Sequence, residues 1–210
     1  MLSPLTFDVL SAGDRDFETI LSLRRQAYGR PEAGIKDSYD EYSYHLVARQ
    51  HDEIVAAIRV TCVKDGPLMS MERYPAWILD AFGDSLLAGS RLCVSRRLSG
   101  SGKVPQMLLR YAWQQMLPLG MLANVAVARV EAIPFYMRQG FVFVRDSLFH
   151  YDRWSTLCGL IAVVADSRRP SPYADVFRSA ELPPSFPNLE DPQRFISSFK
   201  EFRALTQTAA

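Results

Sequence analysis

The sequence predicts an α/β fold in which a mixed sheet is flanked by helices. Short segments that alternate apolar and polar residues, or run apolar for a few positions, read as strands. Between them lie segments whose apolar residues recur every three or four positions, the mark of amphipathic helices. Their order is β-α-(loop)-β-β-β-α-β-α-β-β, which layers helices on one mixed sheet. The 210 residues suffice for one domain, or one domain with an elaborated end, and for a core large enough to fold unaided.

Leu5 to Leu10 alternates as a half-buried strand does, and the stretch from Ser11 to Asp14 breaks it. From Asp16 the positions Phe17, Ile20, Leu21, Leu23 and Tyr28 share a helical face, with Asp14 or Asp16 as N-cap and Gly29 to Pro31 as the stop. A polar, tyrosine-rich stretch runs from Lys36 to Tyr44. His45 to Arg49 and Ile54 to Val63 then form a hairpin that turns through Gln50 to Glu53. Lys64 to Leu87, carrying Gly66, Pro67, Pro75 and Gly83, reads as irregular. Ser90 to Ser95 is a strand. Pro105 to Met116 is a strongly amphipathic helix with its proline in the first turn, where a missing N–H is harmless; Pro118 and Gly120 stop it. Leu122 to Ala128 is a small-residue strand, and a helix around Glu131 to Gln139 ends at Gly140. Phe141 to Val144 and Leu157 to Val164 complete the strands. After Asp166 the texture changes: of the 13 prolines, Pro170, Pro172, Pro183, Pro184, Pro187 and Pro192 lie there, before one helical pattern from Arg194 to Leu205. The expected organisation is a domain over residues 1–166 with a Pro-rich extension, 167–210, wrapping over it and ending in a short helix.

Composition excludes several classes. The 24 Lys and Arg nearly cancel 23 Asp and Glu, a formal charge of +1. That balance argues against a dedicated nucleic-acid binder. Cys62, Cys93 and Cys158 are odd in number and form no C-x-x-C pair, so neither a disulfide framework nor a metal site is expected. The longest apolar runs, such as Leu157 to Ala165, fall short of the roughly 20 residues that span a bilayer, so no membrane span is expected. The start, Met1 to Leu10, has no basic flank or cleavage site and reads as a strand rather than a signal peptide. A soluble, cytoplasmic protein is expected.

Two segments carry chemistry. Arg91 to Lys103 joins a strand to a helix through a glycine-containing turn. Such a turn presents unpaired N–H groups and the helix dipole to an anion, and Arg96, Arg97 and Lys103 add positive charge. The spacing is not that of a Walker loop, and a plain solvated turn fits the same letters. In Arg129 to Phe141, a strand leads to a short helix bearing Phe135 and Tyr136, and Gly140-Phe141 opens the next strand.

That second segment resembles the second signature of the GNAT acyltransferase superfamily, and residues 97–102, RLSGSG, match its R-x-x-G-x-G acyl-carrier-binding motif. The departure is a set of extra residues, including Pro105, between Gly102 and the helix's Leu108-Leu109, which points away from a full coenzyme A pyrophosphate cradle. Arg24 and Tyr28, Asp37 and Asp40, Arg59, and Ser90-Arg91 then follow in an order that resembles acyl-homoserine-lactone synthases. The order is still more similar to that of the long-chain, FeeM-like N-acyl amino acid synthases. The resemblance covers roughly Asp16 to Val144. The lactone-synthase pattern wants a Glu where Ala88 stands and a Trp soon after Tyr28, whereas none occurs before Trp77; both absences favour the N-acyl amino acid branch.

The resemblance implies a GNAT-like, mostly antiparallel sheet splayed between its fourth and fifth strands. It implies transfer of a long-chain fatty acyl group from acyl carrier protein to the α-amine of a free amino acid, tyrosine being the acceptor carried over from relatives. No cofactor would be bound permanently; the donor would be acyl-phosphopantetheine, whose single phosphodiester a reduced loop can serve. Arg96, Arg97, Gly100, Gly102 and Lys103 would take that arm, and the acidic carrier would land on the same cations with Arg110. Solubilising surface charge is the plainer reading of these cations. Backbone N–H groups of Leu92, Cys93 and Val94 would grip the thioester oxygen. Glu131 is the first candidate base, though a Glu there also serves the helix dipole. Asp37, Asp40 and Glu41 are the rival set, which would equally build a structural salt-bridge cluster with Arg24, Arg59 or Arg91. His45 fits a structural role better than a catalytic one. Tyr136 would protonate the leaving thiolate, or simply pack. Arg59 and Arg91, with Asp37 and Asp40 beside them, would hold the acceptor, an arginine forking its carboxylate. Met69, Met71, Trp77, Ile78, Leu79 and Phe82 would line an acyl tunnel or form a satellite cluster. A coenzyme A-dependent N-acetyltransferase and a non-catalytic ligand-sensing module remain the alternatives on the same fold.

Overall fold

The computed structural model describes residues 4–28, 35–100, 102–151, 156–184 and 186–208, and they divide into two units. The first comprises Met1–Met69 and Ala88–Leu119, the second Ser70–Leu87 and Gly120–Ala210.

In the first unit, strand β1 (Thr6–Leu10) pairs antiparallel with β2 (Tyr44–Gln50), from Thr6 opposite Arg49 to Leu10 opposite His45. Strand β2 in turn pairs antiparallel with β3 (Glu53–Cys62). Their hairpin turns on His51 and Asp52, whose φ values of 50 and 64° supply the left-handed pair that suits strand twist. Helix α1 (Phe17–Tyr28) buries Phe17, Ile20, Leu21 and Leu23 in a cluster with Val47, Ile54, Ala57 and Cys93, which is why those positions recur at helical spacing. Asp16 stands at the N-cap position, where its carbonyl accepts from the Thr19 and Ile20 N–H groups at 3.0 and 3.3 Å while its carboxylate accepts from Arg49, and the Asp14 carboxylate accepts from Ser11. The predicted stop at Gly29 to Pro31 lies outside the described residues. Helix α3 (Lys103–Met116) begins two residues before the predicted start, directly after Gly102, and packs Val104, Leu108, Leu109, Ala112, Trp113 and Met116 inward.

Strand β4 (Leu86–Val94) is common to both units. Its first residues pair in parallel with β5 (Ala123–Arg129), Leu86 opposite Ala123 and Leu87 opposite Asn124. Strand β5 pairs antiparallel with β8 (Thr156–Val164) along its whole length. Strand β6 (Val142–Val144) also pairs with β8, and a short β7 (Phe149–Tyr151) pairs with the first residues of β8. Helix α4 (Ile133–Arg138) links β5 to β6. The fold is the α/β class expected: a mostly antiparallel sheet with one parallel pair, flanked by helices. Among the described residues no helix is long and apolar enough to cross a membrane.

Three stretches differ from the sequence reading. Within the segment expected to be irregular, Ala76–Phe82 forms helix α2, two turns long and too short for periodicity to register, and Leu86 already belongs to β4. The three residues of β7 gave no strand signal. The terminal helical pattern splits: Phe195–Ile196 is a strand, β9, on β6, and only Phe199–Thr208 is helix, α5. This C-terminal stretch packs on α2. The Trp77 and Phe195 rings meet edge-on at 5.4 Å, Arg194 covers Trp77 at 4.9 Å, and Phe82 meets Phe186 at 5.4 Å. Ile78 and Phe82 of α2 are buried, while Trp77 and Leu79 are half-buried.

Gly159 on β8 marks the tightest approach in the second unit. A Cβ there would strike the Phe143 ring, itself buried and held against Phe202 at 5.3 Å, and would lie 3.5 Å from Leu148. Gly159→Ala is therefore expected to destabilise by about 1–3 kcal/mol, the usual cost of overpacking. The loss should appear as a lower urea midpoint at unchanged slope. A midpoint equal to the parent's would mean that Phe143 has room to yield.

Candidate active site

The acceptor residues expected from the sequence meet in the first unit. Asp37 precedes the 3₁₀ turn Ser38–Tyr42, and its carboxylate accepts from the Tyr39 N–H at 3.1 Å while the Asp40 carboxylate accepts from the Asp37 N–H at 3.0 Å. This reciprocal cap satisfies two donors that would otherwise be orphaned, and it fixes both carboxylates beside the sheet. Arg24 of α1 donates from Nη1 to Asp40 Oδ1 at 2.9 Å and to the Ile35 carbonyl at 3.0 Å. Arg59 of β3 donates from Nε to Ser90 Oγ at 2.9 Å, from Nη1 to Asp40 Oδ1 at 3.1 Å and to Asp37, and from Nη2 to the Met69 sulfur at 3.1 Å. Arg91 of β4 donates from Nη2 to Asp37 Oδ2 at 2.7 Å. His45 of β2 closes the far side, with Nδ1 3.3 Å from Arg24 Nη2 and Nε2 3.1 Å from the Asp40 carbonyl.

Ser90 and Arg91 are adjacent on a strand, so alternation should send their side chains to opposite faces. Both nevertheless reach this cluster. Arg91 has φ 56°, in the left-handed region that costs a non-glycine residue about 1–2 kcal/mol, and this local twist re-aims its side chain.

Burial divides the cluster into a floor and a mouth. Arg24, Asp40 and Arg59 are 1%, 0% and 0% exposed, whereas Asp37 and Arg91 keep 24% and 19%. Burial pushes the Asp37 carboxyl up, but the Arg59 charge and the hydrogen bonds from Arg91 and Arg59 outweigh it and hold its pKa below the usual range. Three guanidiniums against two carboxylates leave one net positive charge, and the buried Nε atoms of Arg24 and Arg91 have no hydrogen-bond partner. Glu41, the third member of the rival set, is exposed.

The glycine loop also belongs to the first unit. Arg96–Leu98 forms a short 3₁₀ turn, Gly100 has φ 95°, and Gly102 caps α3 at φ 67°, so both glycines occupy conformations that side chains resist; Ser101 lies outside the described residues. Arg96, Arg97 and Lys103 are exposed, and Arg97 pairs with Glu53 at 2.7 Å. On β4 the Leu92 carbonyl accepts from the Tyr28 hydroxyl at 3.1 Å. Cys93 is buried with its thiol toward the Ala57 carbonyl at 3.7 Å, and Val94 follows it. Burial pushes the Cys93 thiol up to about 11 and that of Cys62 up to about 12, so neither supplies a thiolate nucleophile at neutral pH.

Two candidates lie in the second unit. Glu131 is exposed in the turn between β5 and α4. Tyr136 is on α4 with its ring edge-on to Phe135 at 5.2 Å and Phe141 at 5.4 Å, and burial pushes its phenol up to about 12.

A family model described as N-acyl amino acid synthase FeeM matches residues 19–178. The chain belongs to this family. It is an acyltransferase of the N-acyl amino acid synthase family, and such enzymes take their acyl group from a thioester donor. Among solved structures, FeeM, an N-acyl amino acid synthase from uncultured soil microbes, is 13% identical with a TM-score of 0.61; the match covers 77% of this chain and 91% of that one. The coenzyme A-dependent acyl-homoserine lactone synthase BjaI is 18% identical at a TM-score of 0.59, over 83% of this chain and 88% of that one. An acyl-CoA N-acyltransferase from Pseudomonas aeruginosa is 17% identical at 0.57, over 76% and 99%. At such identities these likenesses establish the fold, the GNAT-like one anticipated from Arg97 to Gly102 and from Tyr136 to Phe141. No curated protein sequence matches the chain significantly.

The salt-bridge cluster that the sequence reading offered for Asp37 and Asp40 with Arg24, Arg59 and Arg91 is present in this synthase, whereas Glu41 takes no part in these pairs. The Met69 sulfur as an acceptor for Arg59 has no sequence signal. The D-x-x-D spacing of Asp37 and Asp40 is a capping-box pattern that could have set both carboxylates on one turn.

Proposed function

We propose that this chain transfers a long-chain fatty acyl group from the phosphopantetheine of acyl carrier protein to the α-amine of a free amino acid, tyrosine first among acceptors. The reading is carried by the partly exposed Asp37–Arg91 pair above a buried cluster with one net positive charge. A free amino acid is a zwitterion: Arg91 takes its carboxylate, Asp37 its ammonium, and the surplus charge of the floor favours the anion. Arg59, wholly enclosed and fully engaged, positions Asp37, and Asp40 ties Arg59 to Arg24.

The reaction joins the amine nitrogen to the acyl carbon and breaks the carbon–sulfur bond. We assign the main-chain N–H groups of Leu92, Cys93 and Val94 to the thioester oxygen, where developing charge is stabilised. Glu131 takes the proton the amine must lose, since an α-amine with a pKa of roughly 8 is largely protonated at neutral pH. Tyr136 keeps its proton at neutral pH and gives it to the leaving thiolate, and the second proton, which the nitrogen sheds as the amide forms, restores the phenol. The products are an N-acyl amino acid and the carrier's free thiol. Arg96, Arg97, Gly100, Gly102 and Lys103 serve the donor arm, and a carrier-borne donor places the enzyme in the cytoplasm.

Expression in bacteria followed by mass spectrometry of the culture tests the reading. New species equal in mass to a fatty acid plus an amino acid minus water are expected; their absence from cells holding folded protein overturns it. Side-by-side assays with acyl carrier protein and coenzyme A thioesters decide the donor, and a strong preference for coenzyme A rejects the carrier. The double variant Arg96→Glu with Arg97→Glu is expected to raise the apparent KM for the acyl carrier about tenfold at low salt and less at high salt. An unchanged KM at low salt removes the loop cations from docking.

A further inference from the structure

Building on the reading of Asp37 and Arg91 as the acceptor site, we infer that His45 is its positioning residue. The ring acts as the neutral Nε2–H tautomer, and the site stays assembled only while it is uncharged. His45 is 0% exposed, and both its nitrogens are committed. A guanidinium can only donate, so Nδ1, 3.3 Å from Arg24 Nη2, is an acceptor and carries no proton. A carbonyl can only accept, so Nε2, 3.1 Å from the Asp40 oxygen, carries the proton. One neutral tautomer meets both demands; the imidazolium keeps the bond to the Asp40 carbonyl but loses the other, because it turns an N–H toward the N–H of Arg24.

The charged groups around the ring make protonation costlier still. Arg24 faces it from α1, Asp40 from the 3₁₀ turn with Oδ1 3.8 Å from Nε2, and Arg59 from β3. Its register partner on β1, Leu10, and the Phe17 ring, 4.8 Å away, bring no charge. A proton on His45 would place a second net positive charge in a cluster closed to water. Burial, and after it the Arg24 and Arg59 charges, hold the ring's pKa below 6.5 despite the opposing pull of Asp40. A folded value below the unfolded one means that the ring's contribution is complete above the unfolded pKa of about 6.5. It is lost as pH falls through the folded value.

His45 touches neither substrate. It holds Arg24, Arg24 holds Asp40 Oδ1, and that same oxygen receives Arg59, which holds Asp37. Its effect therefore falls on the acceptor and not on the acyl donor.

The test uses the full chain and varies acceptor and donor separately from about pH 5 to 8. The parent's acceptor KM is expected to climb about tenfold per pH unit below the folded pKa, as one titrating group dictates, with the donor KM flat. His45→Gln, which offers an N–H and an acceptor but cannot charge, is expected to lose that acid limb. A His45→Gln enzyme with the parent's limb overturns the inference. A second measurement, ring-nitrogen NMR of the parent, does not depend on activity. Of the three histidines, His51 and His150 are exposed, and one ring is expected to stay neutral, protonated at Nε2, with a midpoint below 6.5. A buried ring that carries its proton at Nδ1, or that is already charged above pH 6.5, overturns the inference, whereas a neutral Nε2–H ring in a chain that makes no N-acyl amino acid would overturn only the acceptor reading.

Discussion

Asp40→Ala is expected to lower folding stability by about 3–5 kcal/mol, the range seen when one partner of a buried ion pair is removed and the other stays behind. Asp40 is wholly enclosed and receives Arg24 at 2.9 Å, Arg59 at 3.1 Å and the Asp37 N–H at 3.0 Å. Alanine leaves two guanidiniums at 1% and 0% exposure without that counter-charge and opens the 3₁₀ cap, itself worth about 1 kcal/mol. Asp40→Asn keeps the shape and an acceptor but not the charge, so it should fall between parent and alanine. Adding Arg24→Leu to Asp40→Ala removes one stranded cation and should recover part of the loss, a coupling that a double-mutant cycle measures. Urea denaturation decides the matter. A loss under about 1 kcal/mol for Asp40→Ala would mean that water reaches these guanidiniums readily, and the closed floor would have to be abandoned.

The same cluster implies an acid response in two stages. His45, with its pKa held below 6.5, withdraws support first as pH falls. Asp37, held below its ordinary 3.8, contributes stability that is complete above that value and lost only at more acidic pH. On acidification below 6.5 the acceptor KM should therefore begin to rise while the Asp37 contribution to the fold is still complete.

What could be read beforehand follows from where one-sided burial acts over enough residues. Helix α1 and helix α3 each bury a continuous stripe, Phe17 to Leu23 and Val104 to Met116, and the β2–β3 hairpin spans most of two strands, so period alone exposes them. Strand β9 exists because Phe195 and Ile196 pair with Val144 and Phe143, residues some fifty positions away, and nothing local distinguishes it from the helix that follows. Helix α2 likewise depends on Phe195 and Phe186 for its packing. In the site, the ordered residue types marked Arg24, Asp37, Asp40, Arg59 and Arg91 as one set. Depth was not legible: that Arg59 is sealed while Arg91 reaches the mouth follows from the left-handed turn at Arg91, and an arginine carries no sequence mark of φ 56°.

That same backbone angle makes Arg91 the position where activity and stability separate. Arg91→Gly deletes the fork that the acceptor carboxylate needs, so kcat/KM for the amino acid is expected to fall about a hundredfold, in line with losing a charge-assisted bidentate contact of roughly 3 kcal/mol. Stability should not follow it down. Glycine is at ease at positive φ, so the variant is relieved of about 1 kcal/mol of backbone strain while Asp37 keeps its contact with Arg59. Arg91→Ala removes the same contact without that relief and should unfold at a lower urea concentration than Arg91→Gly. Arg91→Lys retains a charge for Asp37 but not the planar fork, and should raise the acceptor KM with little change in kcat, the pattern of lost ground-state binding. The donor KM should be untouched in all three. If Arg91→Gly turned over the amino acid as the parent does, Arg91 would be a structural cation only, and the acceptor's carboxylate would have to be held elsewhere.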